Sequence, residues 1–459
     1  MAMNRDGFLR MALLAMVLAL GIAGQAMAAT YYVDGGNTAA KDDNDGAEKS
    51  PWKTVQHAAD TVRAGDVVVV RPGEYNELVT VKQSGAKDKL IILRGEPSRK
   101  ARVKGFVLEG DYIAIEGFEV ASDADKANGI FAGQTHQKNA RKGCQIADNF
   151  IHDVDGTAIV SGEQALVKGN LMRQVGWGLF VNSGTLVEDN EIDGLIVKMI
   201  EKNGKKQLRS AKYSFFAGDD ITFRGNYFHG TPMKDVVTMG TCFFGTWDAW
   251  IYGASHRILI ENNRCFNATH ASEPEAKQHK KSSHITYRNN LFVNTVHVGV
   301  LPKDWSHVTI ENNTFINCGA YPVWFQSERQ TEGSVVRNNL IAYIDREAQV
   351  EKYGWSPAES GVRIDSQGAK DFCDYNMFWG CKNRGYGEHD FVAEPQFVDP
   401  DKGDYRLKPG SPGIDMGVDA GLKTDLEGTP RPQGKAPDIG AFEHKATQTK
   451  PAPSEVEGK

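Results

Sequence analysis

One stretch of the chain departs from its surroundings. It reads His270-Ala271-Ser272-Glu273-Pro274-Glu275-Ala276-Lys277-Gln278-His279-Lys280-Lys281-Ser282 and brings carboxylates, imidazoles and ammonium groups close together. These are the parts of a proton-abstraction site, in which a cation offsets developing negative charge and a nearby base takes the proton. Lys280 suits the base, because His279 and Lys281 crowd it with like charge and lower its pKa. The matching reaction is β-elimination on a uronate polymer, where the proton leaves C5 beside a carboxylate that must first be neutralised. The same stretch also reads as a plain excursion, with Pro274 breaking a strand. Gly218-Asp219-Asp220 offers a second constellation, two carboxylates for acid–base hydrolysis or for closing a turn. Arg363 is placed to hold a carboxylate by a bidentate pair, or to pair with Asp365. Asp248, His229 and His256 flank the region without forming a pattern.

A repeat must position these groups. Asparagine recurs at 149, 170, 190, 226, 263, 290, 313, 339 and 376, with a mainly apolar residue three positions before and two after. The shortest spacings are 21, 20 and 23 residues. A period of that length, with short strands and an asparagine at each corner, describes a solenoid whose coils bury their apolar faces by stacking. At the strand spacing of about 4.8 Å, amide side chains can bond up the stack as a ladder, and asparagine also tolerates a left-handed corner.

A second strand recurs in each coil, at Gly129–Gly133, Ala158–Gly162, Gly178–Asn182, Ser214–Gly218, Ala249–Gly253, Gly299–Lys303, Pro322–Gln326 and Gly361–Asp365. The odd coil should place its copy near Ala276. Alternation turns Phe131, Val160, Phe180, Phe216, Leu301, Trp324 and Arg363 outward. Phe180, Phe216 and Trp324 would then stack on sugar rings beside Arg363, unless loops fold over the row. Long loops at roughly 193–212, 229–248, 267–283 and 343–360 feed this face. Lys198, Lys202, Lys205, Lys206, Arg209 and Lys212 form one basic cluster, and Lys277, His279, Lys280 and Lys281 a second. Together they favour an anionic polysaccharide as ligand.

Arg5 and Arg10 precede an apolar run and Gln25-Ala26-Met27-Ala28, the layout of a signal peptide over 1–28. The expected product is a secreted or periplasmic monomer starting near Ala29, with no membrane span after cleavage. A net charge of −6 argues against nucleic acid as a partner. Six cysteines are too few for a disulfide scaffold and read as core fillers. Asp42 to Gly46 reads as a tight turn. Ser50-Pro51 starts a short amphipathic helix, Val55 to Val62, that caps the first coil. The period is lost from Pro395. Residues 395–444 form a segment expected to plug the last coil, and 445–459 a polar, disordered tail.

The order Tyr-Tyr-Val-Asp, Asp-Asn-Asp-Gly, Ser-Pro-Trp-Lys-Thr-Val-Gln, Ala-Gly-Asp-Val-Val-Val-Val, Pro-Gly-Glu-Tyr at the start of the mature chain resembles secreted right-handed parallel β-helix proteins of the pectate-lyase-like superfamily. The resemblance implies an all-β, right-handed parallel β-helix over 29–394. Glu273-x-Glu275 with Lys280-x-Ser282 is similar to the β-helix lyases that include chondroitinase B. That similarity implies Glu273 and Glu275 as Ca²⁺ ligands and Lys280 as base, with Lys303 on the next coil where the family has Arg. Asp219-Asp220 resembles the paired aspartates of polygalacturonase-like hydrolases, without their Gly-His-Gly motif. The function expected is a polysaccharide lyase, with a C5-epimerase, a hydrolase or a binding protein as alternatives.

Overall fold

A computed structural model describes residues 28–134, 137–202, 204–247, 254–275, 282–326, 332–365, 373–382 and 386–445. Two long sheets carry the fold, one of 13 strands and one of 20, and every pairing within them is parallel. Among the described residues two antiparallel ribbons stand outside the stack, Met199–Lys202 with Lys205–Leu208 and Phe397–Asp399 with Asp404–Leu407. Each coil contributes one strand to the first sheet, turns at its asparagine, and returns through the second.

The asparagine ladder is continuous. Amide-to-amide bonds of 2.9 to 3.1 Å run from Asn149 through Asn170, Asn190, Asn226, Asn263, Asn290, Asn313 and Asn339 to Asn376. All nine side chains are buried, and Asp390 closes the end by accepting from Asn376 Nδ2 at 3.0 Å. The left-handed residue at each corner is not the ladder asparagine but the one before it, for example Asp148 (φ 55°), Asn262 (φ 56°), Asn289 (φ 53°) and Tyr375 (φ 57°). The ladder asparagine gives its amide to neighbouring coils, and the preceding residue, Asp, Gly or Asn at every corner but that of Tyr375, absorbs the bend.

The flanking apolar positions stack as expected. Ile146, Val167, Val187, Phe223, Ile260, Tyr287, Ile310, Val336 and Cys373 are all fully buried, as are Ile151, Met172, Ile192, Phe228, Cys265, Phe292, Phe315, Ile341 and Phe378. Burying such a side chain contributes roughly 1.5–3 kcal/mol. The six cysteines are free thiols, and all but Cys381 are buried.

At the entrance, helix α1 (Val55–Thr61) buries Val55, Ala58 and Ala59 in the core, beside the strands Thr30–Val33 and Leu78–Val81. Its N-cap is Thr54, whose hydroxyl accepts from His57 N at 3.2 Å. The expected cap, Ser50, instead bonds Asp45. Asp42 accepts from the backbone of Lys53 and Thr54, so the acidic turn is structural.

The closing segment does not plug the last coil. It folds back along the outside of the strands that follow the ladder, where Phe397, Tyr405, Leu407, Leu426, Ile439, Ala441 and Phe442 pack on Leu291, Val293, Ile316, Leu340, Ala342 and Met377. Asn289, Asn312 and Asn338 tie it down through the carbonyls of Thr424, Asp438 and Val418. Those outward positions are apolar, and the segment takes them out of water.

Candidate active site

Strand register fixes the outward groove row as Val107, Phe131, Val160, Phe180, Phe215, Gly245, Glu273, Leu301, Trp324 and Arg363. Two expected positions change. Phe216 aligns with Val181 and points into the core, and Phe215 takes the outward place. The run Tyr213-Ser214-Phe215-Phe216-Ala217 is nearly all apolar, so alternation could not set its parity, and a one-residue slip exchanges the faces. Phe180 does face outward but is only 4% exposed, packed with Val160, Phe215 and Ala217 beneath Trp177. Neither phenylalanine offers a ring to a sugar.

The next coil builds its groove strand from Cys242–Trp247, and the stretch 249–253 expected to supply it lies outside the described residues. The odd coil then runs as one unbroken strand from Arg264 to Glu275, with Pro274 in register opposite Thr246. Beneath it, Tyr287 and Ser272 share a 2.7 Å hydroxyl bond that anchors the strand to the core. Glu273 therefore stands in the groove row, between Gly245 and Leu301.

Basic side chains from three coils converge on Glu273. Lys303 Nζ lies 2.6 Å from Oε1, and His270 Nδ1 is 3.5 Å from Oε2. Lys212, buried, donates to the carbonyl of Gly240 at 2.9 Å and acts electrostatically on both His270 and Glu273. His297 stacks at an angle beside His270, their rings 5.9 Å apart. Burial pushes the His270 pKa down to about 4, with Lys212, His297 and Lys303 adding to the shift and Glu273 opposing it. Burial works against the charge on Glu273. Its neighbours His270, Lys303 and Lys212 outweigh that and hold its carboxyl below the usual range. The imidazole is thus neutral at neutral pH. Its Nδ1 is buried and completes no hydrogen bond.

A second cluster lies further along the same row. Arg363 bonds Asp365 at 2.7 Å and the Tyr321 hydroxyl at 2.7 Å, and its guanidinium stands 4.7 and 4.6 Å from the Tyr321 and Trp324 rings. Trp324 Nε1 donates to Asp365 at 3.0 Å, and Tyr321 donates to Glu359 at 2.6 Å. Arg363 therefore takes the pairing with Asp365 that the sequence left open. With Asp365 and Glu359 beside it, the cluster's formal charge is −1, which suits sugar hydroxyls better than a carboxylate.

The other sequence candidates are structural or lie elsewhere. Asp220 pairs with Arg257 at 2.6 and 2.8 Å, and Asp219 accepts from His256 N at 2.8 Å, so this pair closes a turn outside the groove. His229 pairs with Glu191 at 2.9 Å on the strands after the ladder. Lys198 and Arg209 are both bound to Asp155, at 2.7 and 2.9 Å, which neutralises part of the first basic loop. Asp248 and the segment 276–281, with His279 and Lys280, lie outside the described residues. The sequence analysis missed His270 and Lys212 as site residues, although His270 sits three positions before Glu273.

Calcium asks for six to eight oxygen ligands. Glu273 and Glu275 are two residues apart on one strand, and Lys303 already holds Glu273 while pairing its backbone with Glu275. Among the described residues no three His, Cys, Asp or Glu side chains converge as metal ligands. The described donors do not fit the expected calcium site; a lysine ammonium occupies the carboxylate it would use.

Residues 178–390 match the family model described as "Right handed beta helix region". The uncharacterized protein YwoF of Bacillus subtilis (strain 168) is 30% identical over 135 residues, a match spanning 26% of this chain and 28% of YwoF. The crystal structure of pectate lyase Pel9A superposes over 92% of this chain and 98% of its own, with a TM-score of 0.53 at 16% identity. A mannuronic acid specific polysaccharide family 6 lyase from human gut microbiota covers 79% of this chain and 82% of its own, with a TM-score of 0.44 at 15% identity. Among the described residues no helix is long and apolar enough to cross a membrane. Parallel register along both sheets, the buried amide ladder and the shared architecture with Pel9A give this chain the fold of a right-handed parallel β-helix.

Proposed function

We propose that this protein is an exported polysaccharide lyase that cleaves a uronate-containing polysaccharide by β-elimination at Glu273. One observation carries the reading. The groove row is apolar or glycine from Val107 to Gly245, and at the first charged position, Glu273, a neutral imidazole and two ammonium groups converge. A substrate carboxylate entering there meets Lys303, half-exposed at 29%, and the field of Lys212. That supplies the neutralisation without which the C5 proton is too weakly acidic.

Nδ1 of His270 faces Glu273, so its proton belongs on that side and Nε2 is the basic nitrogen. An incoming carboxylate raises the imidazole pKa from its depressed value, because it stabilises the protonated form. The C5–H bond then breaks with its proton passing to Nε2, the C4–O bond breaks, C4=C5 forms, and the departing oxygen takes a proton from water. Trp324, Tyr321 and Arg363 would hold a neighbouring sugar two to three rungs along, about 10–14 Å away at the sheet spacing.

The test is incubation with alginate, pectate and glycosaminoglycans, with and without a chelator, following ultraviolet absorbance of unsaturated chain ends. Absorbing products are expected, and Glu273→Gln and His270→Gln should each lower kcat about 10²–10⁴-fold. Reducing ends without absorbance would mean a hydrolase, inverted uronates without cleavage an epimerase, and retention without turnover a binding protein. Loss of turnover in Lys280→Ala with His270→Gln fully active would move the base to Lys280.

A further inference from the structure

The groove row has a hollow of its own near its N-terminal end. It encloses about 310 Å³ and is lined by Leu78, Val107 and Phe131, with Lys104, Ser122 and Asn128 also on its wall. Val107 and Phe131 belong to the outward row, and Leu78 stands two residues before Thr80, which pairs with Val107 on the preceding coil. Five rungs part Phe131 from Glu273, about 24 Å at the sheet spacing. Between them Val160, Phe180 and Phe215 are buried, whereas Val107 and Phe131 are part-exposed and Leu78 is 57% exposed. The hollow is therefore a separate place on the same row, not an extension of the site at Glu273.

The polar groups on its wall have hydrogens left to give. Asn128 Oδ1 accepts from Thr157 N at 2.9 Å, which leaves the amide NH2 to donate. Ser122 Oγ accepts from Ala124 N at 3.3 Å and keeps its O–H. Among the described residues neither Asn128 Nδ2 nor the ammonium of Lys104 meets a partner, and Lys104 is the one charged side chain on the wall. The acids nearby line an adjoining hollow that shares Lys104 and Ser122. There Glu74 is held by Arg102 at 3.5 Å and Asp153 by His152 at 2.8 Å, which leaves Asp123. Three donors, one of them a cation, beside three apolar side chains suit a sugar ring that carries a carboxylate. Its C–H face would lie on Leu78 and Phe131, and its carboxylate would turn to Lys104.

We propose that this hollow is a second, non-catalytic binding site for an acidic sugar of the same polymer. The identity of the polymer rests on the lyase reading above; the site itself does not. Continuity with the row that carries Glu273 is what favours that occupant. A chain long enough to span about 24 Å can engage both places at once, so the protein holds a polymer more tightly than either place holds a short oligomer.

Calorimetric titration of the full-length Glu273→Gln protein with trimannuronate and trigalacturonate reads the two places separately, because a trisaccharide is too short to span them. Two binding events are expected. Lys104→Glu and Leu78→Asp, both at exposed positions, should each remove one event and leave the other, with circular dichroism showing that each variant is folded. With Glu273 intact, the same two changes should raise KM for the polymer about tenfold or more and leave kcat unchanged. A single binding event, or two that both survive the two changes, would overturn the proposal. Equal affinity of the Lys104-dependent event for neutral maltotriose would overturn the acidic-sugar assignment. Unsaturated products without Lys104-dependent binding would refute this site and leave the lyase reading standing. Lys104-dependent binding without unsaturated products would do the reverse.

Discussion

The His270 imidazole gives the most direct check on the site. Burial in the groove strand, with Lys212, Lys303 and His297 nearby, lowers its pKa from 6.5 to about 4, while Glu273 acts the other way. The sign follows from proton counting. Between those two values the unfolded chain binds a proton at this position and the folded chain does not, so stability falls as pH drops through that window. Full passage is worth about 3 kcal/mol, and the part realised by pH 5 is about 2 kcal/mol. Glutamine cannot titrate, so His270→Gln should lack this component. Urea unfolding of both proteins across the same pH range isolates it, because every other titrating group is common to the two. The stability difference between them should change by about 2 kcal/mol between pH 8 and pH 5, against the unaltered protein at the acid end. A difference that stays constant with pH, or an NMR titration with His270 protonating at its ordinary value, would refute the argued burial. The neutral imidazole on which the proposed proton transfer depends would go with it.

Two further outcomes test the frame around the site. Asn290→Ala removes four buried side-chain bonds, two donated to Ile260 O and Asn313 and two accepted from the backbone and side chain of Asn263. At about 1 kcal/mol each the loss should be about 4 kcal/mol in a denaturant titration; a change below about 1 kcal/mol would mean the ladder is incidental. Deleting the chain from Pro395 onward should uncover Leu291, Val293, Ile316, Leu340, Ala342 and Met377, giving dye binding and self-association. A monomeric, dye-silent truncation would mean the closing segment is dispensable.

The frame was readable because stacking makes each coil report the same constraint. The positions three before and two after each asparagine meet only their own counterparts, so an apolar residue recurs there whatever the loops do. The groove row was less readable, for a reason that can be counted. Phe180 and Glu273 lie ten positions past Asn170 and Asn263, while Val160, Leu301 and Trp324 lie eleven past Asn149, Asn290 and Asn313, so the short coils place their groove residue ten or eleven positions beyond the ladder. That count narrows the odd coil to Glu273 or Pro274, and the expected strand near Ala276 overshot both. Asn190 and Phe215 are separated by the hairpin insertion, which erases the count and leaves parity to a run of apolar residues. Asn226 and Gly245 are separated by helix α2 (Met233–Met239), with the same effect. Lys212 and Lys303 lie far from Glu273 in sequence. Only coil stacking brings them to one carboxylate, and no local pattern announces that.

The two outward faces of the second sheet show which of them the fold leaves for binding. On the strands after the ladder, from Leu291 to Met377, the outward side chains are apolar and the closing segment covers them. On the groove strands of the same coils the outward positions are Leu301, Trp324 and Arg363, and the segment stays away from them. A cover built only for stability would have no reason to prefer one face, since buried apolar area contributes equally on either. The difference lies in what each face presents. Leu291, Ile316 and Leu340 have no polar group to satisfy. Trp324 Nε1, the Arg363 guanidinium and the Tyr321 hydroxyl need partners, and find them in Asp365 and Glu359, which point the same way. A polar network already satisfied at its own surface gains little from a protein cover, but it offers hydroxyl-bearing ligands both donors and acceptors at low desolvation cost. The side chains around Trp324 and Arg363 are thus the ones on these coils that exchange water for sugar most readily. They begin two rungs beyond the carboxylate on which the basic groups converge, past the buried Leu301.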